Sequence, residues 1–223
     1  MAAGLQHLIK NRFMCYSVKT KFRMKEAEKV FDAHYDGSAV EAEETITGFD
    51  NPSLAIISDE NLNLITAAEW GLNPSIRESV KNATVGLNAR AETLENVNLF
   101  KTDVDKHCVL LVSAYYEWQH VTVGRKTQKV KHEITMANLP VFALAGIYSV
   151  YGGQKYFTVV TTEANKLMEQ IHNTKKRMPI ALSPAAAEEY LAGQSIHEFE
   201  LSNYNPKLRA ENLEPEKVPP GLF

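Results

Sequence analysis

The stretch "CVLLVSAYYEW", residues 108–118, decides the fold class. It is a run of apolar and small residues that ends in a glutamate between two aromatic residues, and β-branched and aromatic residues of this kind favour an extended strand. Three similar runs follow at 129–136, 141–150 and 155–162, separated by Gly, Lys, Asn and Pro. Because the intervals between these runs are too short for helical crossovers, most neighbouring strands are expected to pair antiparallel. The sequence therefore predicts a curved, barrel-like, mostly antiparallel sheet.

Helical patterns flank these strands. They lie at residues 22–35, 163–172 and 183–193. Thr161 or Thr162 is the expected N-cap of the second helix, and an earlier strand pair is expected at 54–58 and 62–70. The tail, residues 205–223, has no clear periodicity and is expected to be irregular. We therefore predict a single α+β domain in which helices flank the sheet.

Composition excludes several classes of protein. The chain has 223 residues, of which 44% are hydrophobic and 23% charged, with a net charge of −3. Two cysteines, Cys15 and Cys108, argue against a disulfide scaffold and fit a reducing, cytoplasmic location. No run approaches the roughly 20 apolar residues of a membrane span. No metal-ligand spacing occurs among the histidines and cysteines, so we expect no metal. We also expect no cofactor, no membrane partner and a monomer.

The beginning of the chain raises a separate question. Residues 1–13, "MAAGLQHLIKNRF", are expected to be an extension from an early start codon, a cloning remnant or a removable leader, and the domain is expected to span residues 14–223. If Met14 were the first residue made, its removal would leave Cys15 with a free α-amine.

Four polar segments interrupt the apolar patterns and are the candidates for chemistry. They are Cys15, Asn88 with Arg90 in "GLNARAET", Glu117, and His172 with the basic loop "NTKKRMP" that follows it. Together these residue types allow a Cys–His–Asn or a Cys–His–Glu constellation.

Each candidate also has an ordinary structural explanation. Cys15 could be a packing residue, and Asn88 could cap a turn. Glu117 could be solvated at a strand end, although burial among aromatic residues would raise its pKa and make it an acid. His172 could complement a helix dipole. The loop residues Lys175, Lys176 and Arg177 could be a solvated charge cluster or could bind phosphate.

Six segments in a fixed order resemble one known family, the SOS-response-associated peptidase (SRAP) domain. They are "MCYS" at 14–17, "WGLNPS" at 70–75, "LNARAET" at 87–93, "AYYEW" at 114–118, "VFALAGIY" at 141–148 and "FTVVTTEAN…IHNTKKRMPIAL" at 157–182. The resemblance spans nearly the whole chain from Met14.

This resemblance implies a function and a set of site residues. The family recognises abasic sites in single-stranded DNA and crosslinks to them through a cysteine exposed by removal of the initiator Met, and it has also been associated with lyase and peptidase activity. Cys15 matches the crosslinking cysteine. Asn88, Glu117 and His172 match the other site positions, and Trp70 and Arg90 match positions that hold DNA. The expected partner is therefore single-stranded DNA with abasic sites.

Two other functions remain open from the residues alone. One is a cysteine hydrolase with Cys15 as the thiolate and His172 as the base, which could remove residues 1–14 itself. The other is a DNA-binding module without covalent chemistry, if the extension persists.

The chain departs from the family pattern at two places. Tyr16-Ser17 follows the cysteine where Gly-Arg is common, and Lys19, Lys21 or Arg23 are the expected substitutes for the missing arginine. Ser75 and Ile76 stand where a second tryptophan is common. Both changes affect expected DNA contacts.

Overall fold

The computed structural model describes residues 16–80 and 86–218, so Cys15 and the 1–13 extension lie outside the described residues. The helices are α1 Met24–Phe31, α2 Pro74–Arg77, α3 Lys166–Ile171 and α4 Pro184–Leu191. The strands are β1 Ser17–Lys19, β2 His34–Tyr35, β3 Ile46–Thr47, β4 Ser53–Ser58, β5 Asn61–Trp70, β6 Asn88–Arg90, β7 His107–Val112, β8 Ala114–Val123, β9 Lys126–Met136, β10 Phe142–Tyr151, β11 Gln154–Glu163, β12 Arg177–Pro179, β13 Ala181–Leu182 and β14 Leu208–Asn212. None of these helices is long and apolar enough to cross a membrane.

The strands form two sheets, and the predicted α+β single domain is confirmed. The smaller sheet has the order β14-β9-β8-β1-β3, and the larger has the order β12-β11-β10-β7-β4-β5-β2, with β13 beside β10 and β6 beside β11. Most pairs are antiparallel, as expected. The described exceptions are β2 with β5, β5 with β11, and β6 with β11.

The opening run, 108–118, is two strands rather than one. It breaks at Ser113, so that β7 belongs to the larger sheet and β8 to the smaller. The Ser113 backbone N–H donates to the Lys19 carbonyl at 2.9 Å, and the Ser113 hydroxyl donates to the same oxygen at 3.2 Å. This change of sheet carries Glu117 away from β7.

The central strands of the larger sheet are buried on both faces. Along β10, Phe142 and Leu144 pack into the core between the two sheets, whereas Ala143 and Ala145 pack on the other side with Tyr190 of α4. A strand covered on both faces needs apolar residues at consecutive positions, which explains the uninterrupted runs in the sequence.

Three predicted element boundaries are wrong. The α3 helix begins at Lys166, and its N-cap is Asn165, whose side chain accepts the Met168 N–H at 3.0 Å. Thr161 and Thr162 cannot cap it because both are still in β11. Part of the tail is not irregular, since Leu208–Asn212 form β14, which pairs with β9.

Trp70, predicted to contact DNA, is instead a core residue. Its side chain is fully buried, its indole N–H donates to the Leu87 carbonyl at 2.8 Å, and its ring stacks on Phe157 with centroids 6.1 Å apart. Gly48 leaves room for the ring, because a Cβ there would lie 3.1 Å from two indole carbons. The indole offers no face to a DNA base, which corrects the stacking prediction.

Trp70→Ala is therefore expected to lower the free energy of unfolding by about 3–5 kcal/mol, the usual cost of truncating a buried aromatic residue. Chemical denaturation followed by circular dichroism measures the change. Tyr151→Ala, at an aromatic residue that is 49% exposed, is the control and is expected to cost less than about 1 kcal/mol. Equal costs for the two variants would contradict the core assignment.

Candidate functional site

A cavity of about 550 Å³ lies between the smaller sheet and the loop that follows α3. Its lining residues are Tyr16, Ser17, Thr45, Thr47, Phe49, Glu117, Trp118, His120, Lys129, His172, Thr174 and Lys175. Three of the residues singled out from the sequence, Glu117, His172 and Lys175, therefore meet in one place.

The direction of β1 brings the N-terminal side of the domain to this cavity. β1 runs antiparallel to β8 with Val18 opposite Tyr115, so Ser17 and then Tyr16 lie along β8 in the direction of Glu117. Tyr16 lines the cavity, and its carbonyl accepts the Gly48 N–H at 2.9 Å. Cys15 is thus joined by one peptide bond to a residue of the cavity wall.

Glu117 is a buried carboxyl group. The residue is only 3% exposed, and its Oε1 atom makes no hydrogen bond to another described residue. Burial raises the pKa of Glu117 to about 8, against a small opposing effect of the Trp118 backbone N–H. Near neutral pH this carboxyl group therefore holds its proton and is able to donate it.

His172 is held in a defined orientation at the C-terminal end of α3. Its Nδ1 lies 2.7 Å from the Arg177 carbonyl oxygen. A carbonyl only accepts hydrogen bonds, so Nδ1 carries the hydrogen, and the lone pair of the neutral ring is on Nε2. Nδ1 is also 4.0 Å from Glu117 Oε1. A base with a fixed tautomer thus lies beside a protonated acid.

Two contacts hold the α3 end against β8. Gln119 Nε2 donates to the Gln170 carbonyl at 3.0 Å. Asn173 makes two bonds to the backbone of His120, accepting its N–H at 3.1 Å and donating to its carbonyl at 2.9 Å. These bonds fix the distance between the segment that carries Glu117 and the one that carries His172.

Asn88 and Arg90 lie on a different element. Both are in β6, where Asn88 is opposite Val159 and Arg90 is opposite Thr161 of β11. Neither residue is among the described lining residues of the cavity, and Arg90 is exposed.

Arg177, predicted to bind phosphate, is instead a buried structural residue. Its guanidinium donates to both carboxylate oxygens of Glu92, at 2.7 and 2.9 Å, and to the Thr161 carbonyl at 2.8 Å. Burial is the largest single effect and would raise the pKa of Glu92. The hydrogen bonds and charge of Arg177, together with a backbone N–H and the Thr162 hydroxyl, jointly outweigh it and hold that pKa below its ordinary value. The phosphate prediction for Arg177 is therefore wrong.

The two lysines of that loop, Lys175 and Lys176, are exposed. Lys176 forms an exposed ion pair with Glu169 at 3.4 Å, and Lys175 lies on the cavity wall.

The predicted substitutes for the missing arginine are already paired with acidic residues. Lys19 and Lys21 both contact Glu44, at 3.0 and 3.2 Å, and Arg23 pairs with Glu26. Their charge is therefore partly neutralised before any phosphate approaches.

Several cavity residues were not singled out from the sequence. Phe49, 39% exposed, contacts Tyr16 with ring centroids 5.1 Å apart, and half-buried Trp118 lies beside Glu117. His120 and Lys129 are directly opposite each other across the β8–β9 pair. Burial, followed by the positive charges of Lys129 and His172, lowers the pKa of His120. Only the strand register, which the sequence did not supply, brings Lys129 to this site.

The amino-acid sequence is similar to one protein family and to several named proteins. The profile of the family described as SOS response associated peptidase (SRAP) matches residues 14–221. Abasic site processing protein YoaM of Bacillus subtilis is 34% identical over 171 residues, which cover 74% of this chain and 73% of YoaM. Abasic site processing protein YoqW of the same organism is 32% identical over 171 residues, which cover 74% of each chain.

More distant similarities extend to a vertebrate protein and to solved structures. Abasic site processing protein HMCES of Xenopus tropicalis is 25% identical over 183 residues, covering 67% of this chain and 54% of HMCES. The crystal structure of a protein from Bacteroides thetaiotaomicron matches with a TM-score of 0.73 at 23% identity, covering 92% of this chain and 96% of that one. That structure confirms the fold.

Arg177→Met is expected to lower the free energy of unfolding by about 2–3 kcal/mol, because it leaves the partly buried Glu92 carboxylate without its partner. The pKa of Glu92 is lowered in the folded state, so this loss is full above the ordinary value of about 4.3 and decreases as the pH falls from there through the lowered folded-state pKa. Denaturation curves at pH 7 and pH 3 measure both effects.

Lys176→Met is the matched control, at the next residue and in an exposed ion pair. Its expected cost is below about 1 kcal/mol at either pH. A pH-independent cost for Arg177→Met would contradict the ion-pair explanation.

Proposed function

This chain belongs to the SOS response associated peptidase (SRAP) family, and we propose that it binds abasic sites in single-stranded DNA and becomes covalently attached to them through Cys15. One observation carries the proposal: Glu117 and His172 share a cavity with Tyr16, the residue joined to Cys15 by one peptide bond. The names of its relatives, abasic site processing proteins, support the choice of DNA lesion.

The chemistry requires the α-amine of Cys15. The opened sugar of an abasic site is an aldehyde. The amine attacks its carbonyl carbon, water leaves, and an imine forms; the thiol then adds to the imine carbon while its proton passes to nitrogen, closing a five-membered thiazolidine. A lysine amine has a pKa of about 10.4, whereas an α-amine titrates at about 7.7 and is neutral for a sizeable fraction near pH 7. A terminal cysteine is therefore the suitable nucleophile.

The cavity residues fit the proton transfers of this sequence. Loss of water from the first adduct needs an acid near the leaving oxygen, and protonated Glu117 fits that role. Ring opening of the sugar needs a base, and the Nε2 lone pair of His172 fits that role because the Arg177 carbonyl occupies Nδ1. In this proposal Asn88 holds the α-amine or a leaving oxygen, and Arg90, Lys175 and Lys176 contact flanking phosphates.

The peptide bond between Met14 and Cys15 has to be cut before this reaction. While that bond is intact, the nitrogen of Cys15 is an amide nitrogen and cannot form an imine. Only the chain that starts at Cys15 is therefore expected to form the covalent adduct, whereas the chain that starts at Met1 is expected to form none.

A cysteine hydrolase is the second candidate function. The observation that favours it is the orientation of His172, since a base whose Nδ1 is fixed by a hydrogen bond can take a proton from a thiol at Nε2. This function needs a thiolate but no free amine, so it would persist in a chain that starts at Met1.

Intact-mass measurement after incubation with single-stranded DNA containing one abasic site tests the covalent step. The chain starting at Cys15 is expected to gain the mass of the DNA minus one water, and the adduct is expected to form without borohydride. Cys15→Ala and the chain starting at Met1 are expected to give no such adduct.

A thiazolidine adduct from the chain starting at Met1 would refute this mechanism, and no adduct from the chain starting at Cys15 would refute the proposed function. Turnover of a peptide or ester that is lost in Cys15→Ser would support the hydrolase instead.

The pH profile of adduct formation tests the role of Glu117. The rate is expected to rise as the α-amine loses its proton near pH 7.7 and to fall as the Glu117 carboxyl loses its proton above pH 8. Glu117→Gln is expected to slow the reaction roughly 100-fold or more and to remove the alkaline fall, with little change in DNA affinity. Arg90→Ala, the comparison variant, is expected to weaken binding more than it slows the reaction at saturating DNA. If the rate of adduct formation still falls at alkaline pH in Glu117→Gln, that fall belongs to the titration of another group.

A further inference from the structure

Gln119 is a buried polar residue whose side-chain oxygen the proposed reaction does not use. The residue is 6% exposed, and its Nε2 donates to the Gln170 carbonyl of α3 at 3.0 Å. Because a carbonyl only accepts hydrogen bonds, this contact fixes which end of the amide is nitrogen and which is oxygen. The oxygen, Oε1, is buried and makes no hydrogen bond to another described residue. Buried polar atoms almost always have a partner, so this acceptor points to a ligand.

Glu117 has the same feature on the same face of β8. Side chains alternate along a strand, so Tyr115, Glu117 and Gln119 share the buried face. Glu117 Oε1 is also buried without a hydrogen bond to another described residue. Residues two apart on a strand are about 6.6 Å apart. One water molecule with two hydrogen bonds of about 2.8 Å joins oxygens about 5 Å apart, so the spacing suits a single water between the two side chains.

Glu117 needs a hydrogen-bond donor at the moment it acts as an acid. Loss of its proton leaves a carboxylate on a residue that is only 3% exposed, and an isolated buried charge is strongly unfavourable. Burial disfavours this charged form more than the Trp118 backbone N–H favours it. A second donor is therefore required if the proton is to leave.

The two histidines beside Glu117 already use an N–H on the backbone. His132 is directly opposite Glu117 across the β8–β9 pair, and His172 Nδ1 is 4.0 Å from Glu117 Oε1. His132 Nδ1 is 3.2 Å from the Val130 carbonyl oxygen, and His172 Nδ1 is 2.7 Å from that of Arg177. Burial lowers the pKa of His132, so its ring is neutral and its Nε2 carries a lone pair. The donor for a Glu117 carboxylate must therefore come from elsewhere.

We propose that Gln119 and Glu117 bind one water molecule between their Oε1 atoms, and that Gln119 is the positioning residue that anchors this water. The water donates one hydrogen to the amide oxygen, which can only accept, and is free to turn the other to Glu117. The water site stands on the two buried oxygens, whereas its part in crosslinking rests on the proposed function.

This water gives the acid a partner in its ionised form. In the first adduct the C–O bond breaks, the nitrogen lone pair forms the C=N bond, and the departing hydroxyl takes the Glu117 proton and leaves as water. The anchored water then donates its second hydrogen to the Glu117 carboxylate. Hydrogen bonds to charged groups are stronger than those between neutral groups, so the water favours proton loss at this step.

A crystal structure of the unchanged chain tests the site directly. One water is expected within about 3.2 Å of both Glu117 Oε1 and Gln119 Oε1. Absence of electron density between these two atoms in a well-ordered site would overturn the proposal.

Titration of the Glu117 carboxyl by carbon-13 NMR tests the anchor. Gln119→Leu is expected to raise the pKa of Glu117 from about 8 to about 9, because the ionised form loses a hydrogen bond. Gln119→Met, which is unbranched like glutamine, repeats the test if the leucine variant does not fold. Asn173→Ala is the matched control, since it removes two other hydrogen bonds between β8 and the end of α3 and leaves Gln119 in place. An unchanged or lowered pKa in both Gln119 variants, or an equal rise in Asn173→Ala, would overturn the anchor.

The rate of adduct formation tests the link to the reaction. In a chain starting at Cys15, Gln119→Leu is expected to slow the reaction roughly 10-fold, less than Glu117→Gln does. The fall in rate at alkaline pH is expected to move upward by about one pH unit, whereas Asn173→Ala is expected to leave its position unchanged. A fall at the same pH in Gln119→Leu as in the unchanged chain would exclude this role. Absence of adduct from the unchanged chain would overturn the proposed function, whereas the crystal structure and the carboxyl titration would still decide the water site.

Discussion

The ion pair between Arg177 and Glu92 is the interaction on which the rest of the site depends. It joins β12 to the helical turn after β6 and, through Thr161, to β11. The same residue fixes His172 through its backbone carbonyl. One residue thus connects the strand that carries Asn88 and Arg90 with the loop that carries the histidine. Two segments of the family signature meet here and stabilise each other.

The break at Ser113 is the second constraint on the site. It lets one continuous stretch of sequence supply a fully buried strand to the larger sheet and a partly exposed strand to the smaller one. β8 then runs past the edge of the core and places Glu117 where burial is nearly complete but one side faces a cavity. A single uninterrupted strand would have kept the glutamate in the larger sheet with β7.

The sequence predicted the class of fold, most strands and three of the residues that meet in the cavity, Glu117, His172 and Lys175. It did so because β-branched runs and polar interruptions are local signals. It was wrong about Trp70 and Arg177 because a motif shows that a residue type recurs, not whether its side chain faces a ligand or the core. Lys129 and Phe49 could not be found, since their place in the cavity depends on register and on packing between segments far apart in the chain. The N-cap of α3 was misplaced because both threonines that would suit a cap are still in β11, which ends at Glu163, and Asn165 caps the helix instead.

The burial of Glu117 has a thermodynamic consequence for the whole domain. In the unfolded chain this carboxyl titrates near its ordinary pKa of about 4.3, whereas in the folded chain its pKa is about 8. Between those values the unfolded state releases a proton that the folded state keeps, so rising pH favours unfolding by up to about 1.4 kcal/mol per pH unit from this group alone. The contribution of Glu117 to the free energy of unfolding is therefore less favourable near pH 8 than at mildly acidic pH. Selection for stability alone would replace this glutamate with an apolar residue.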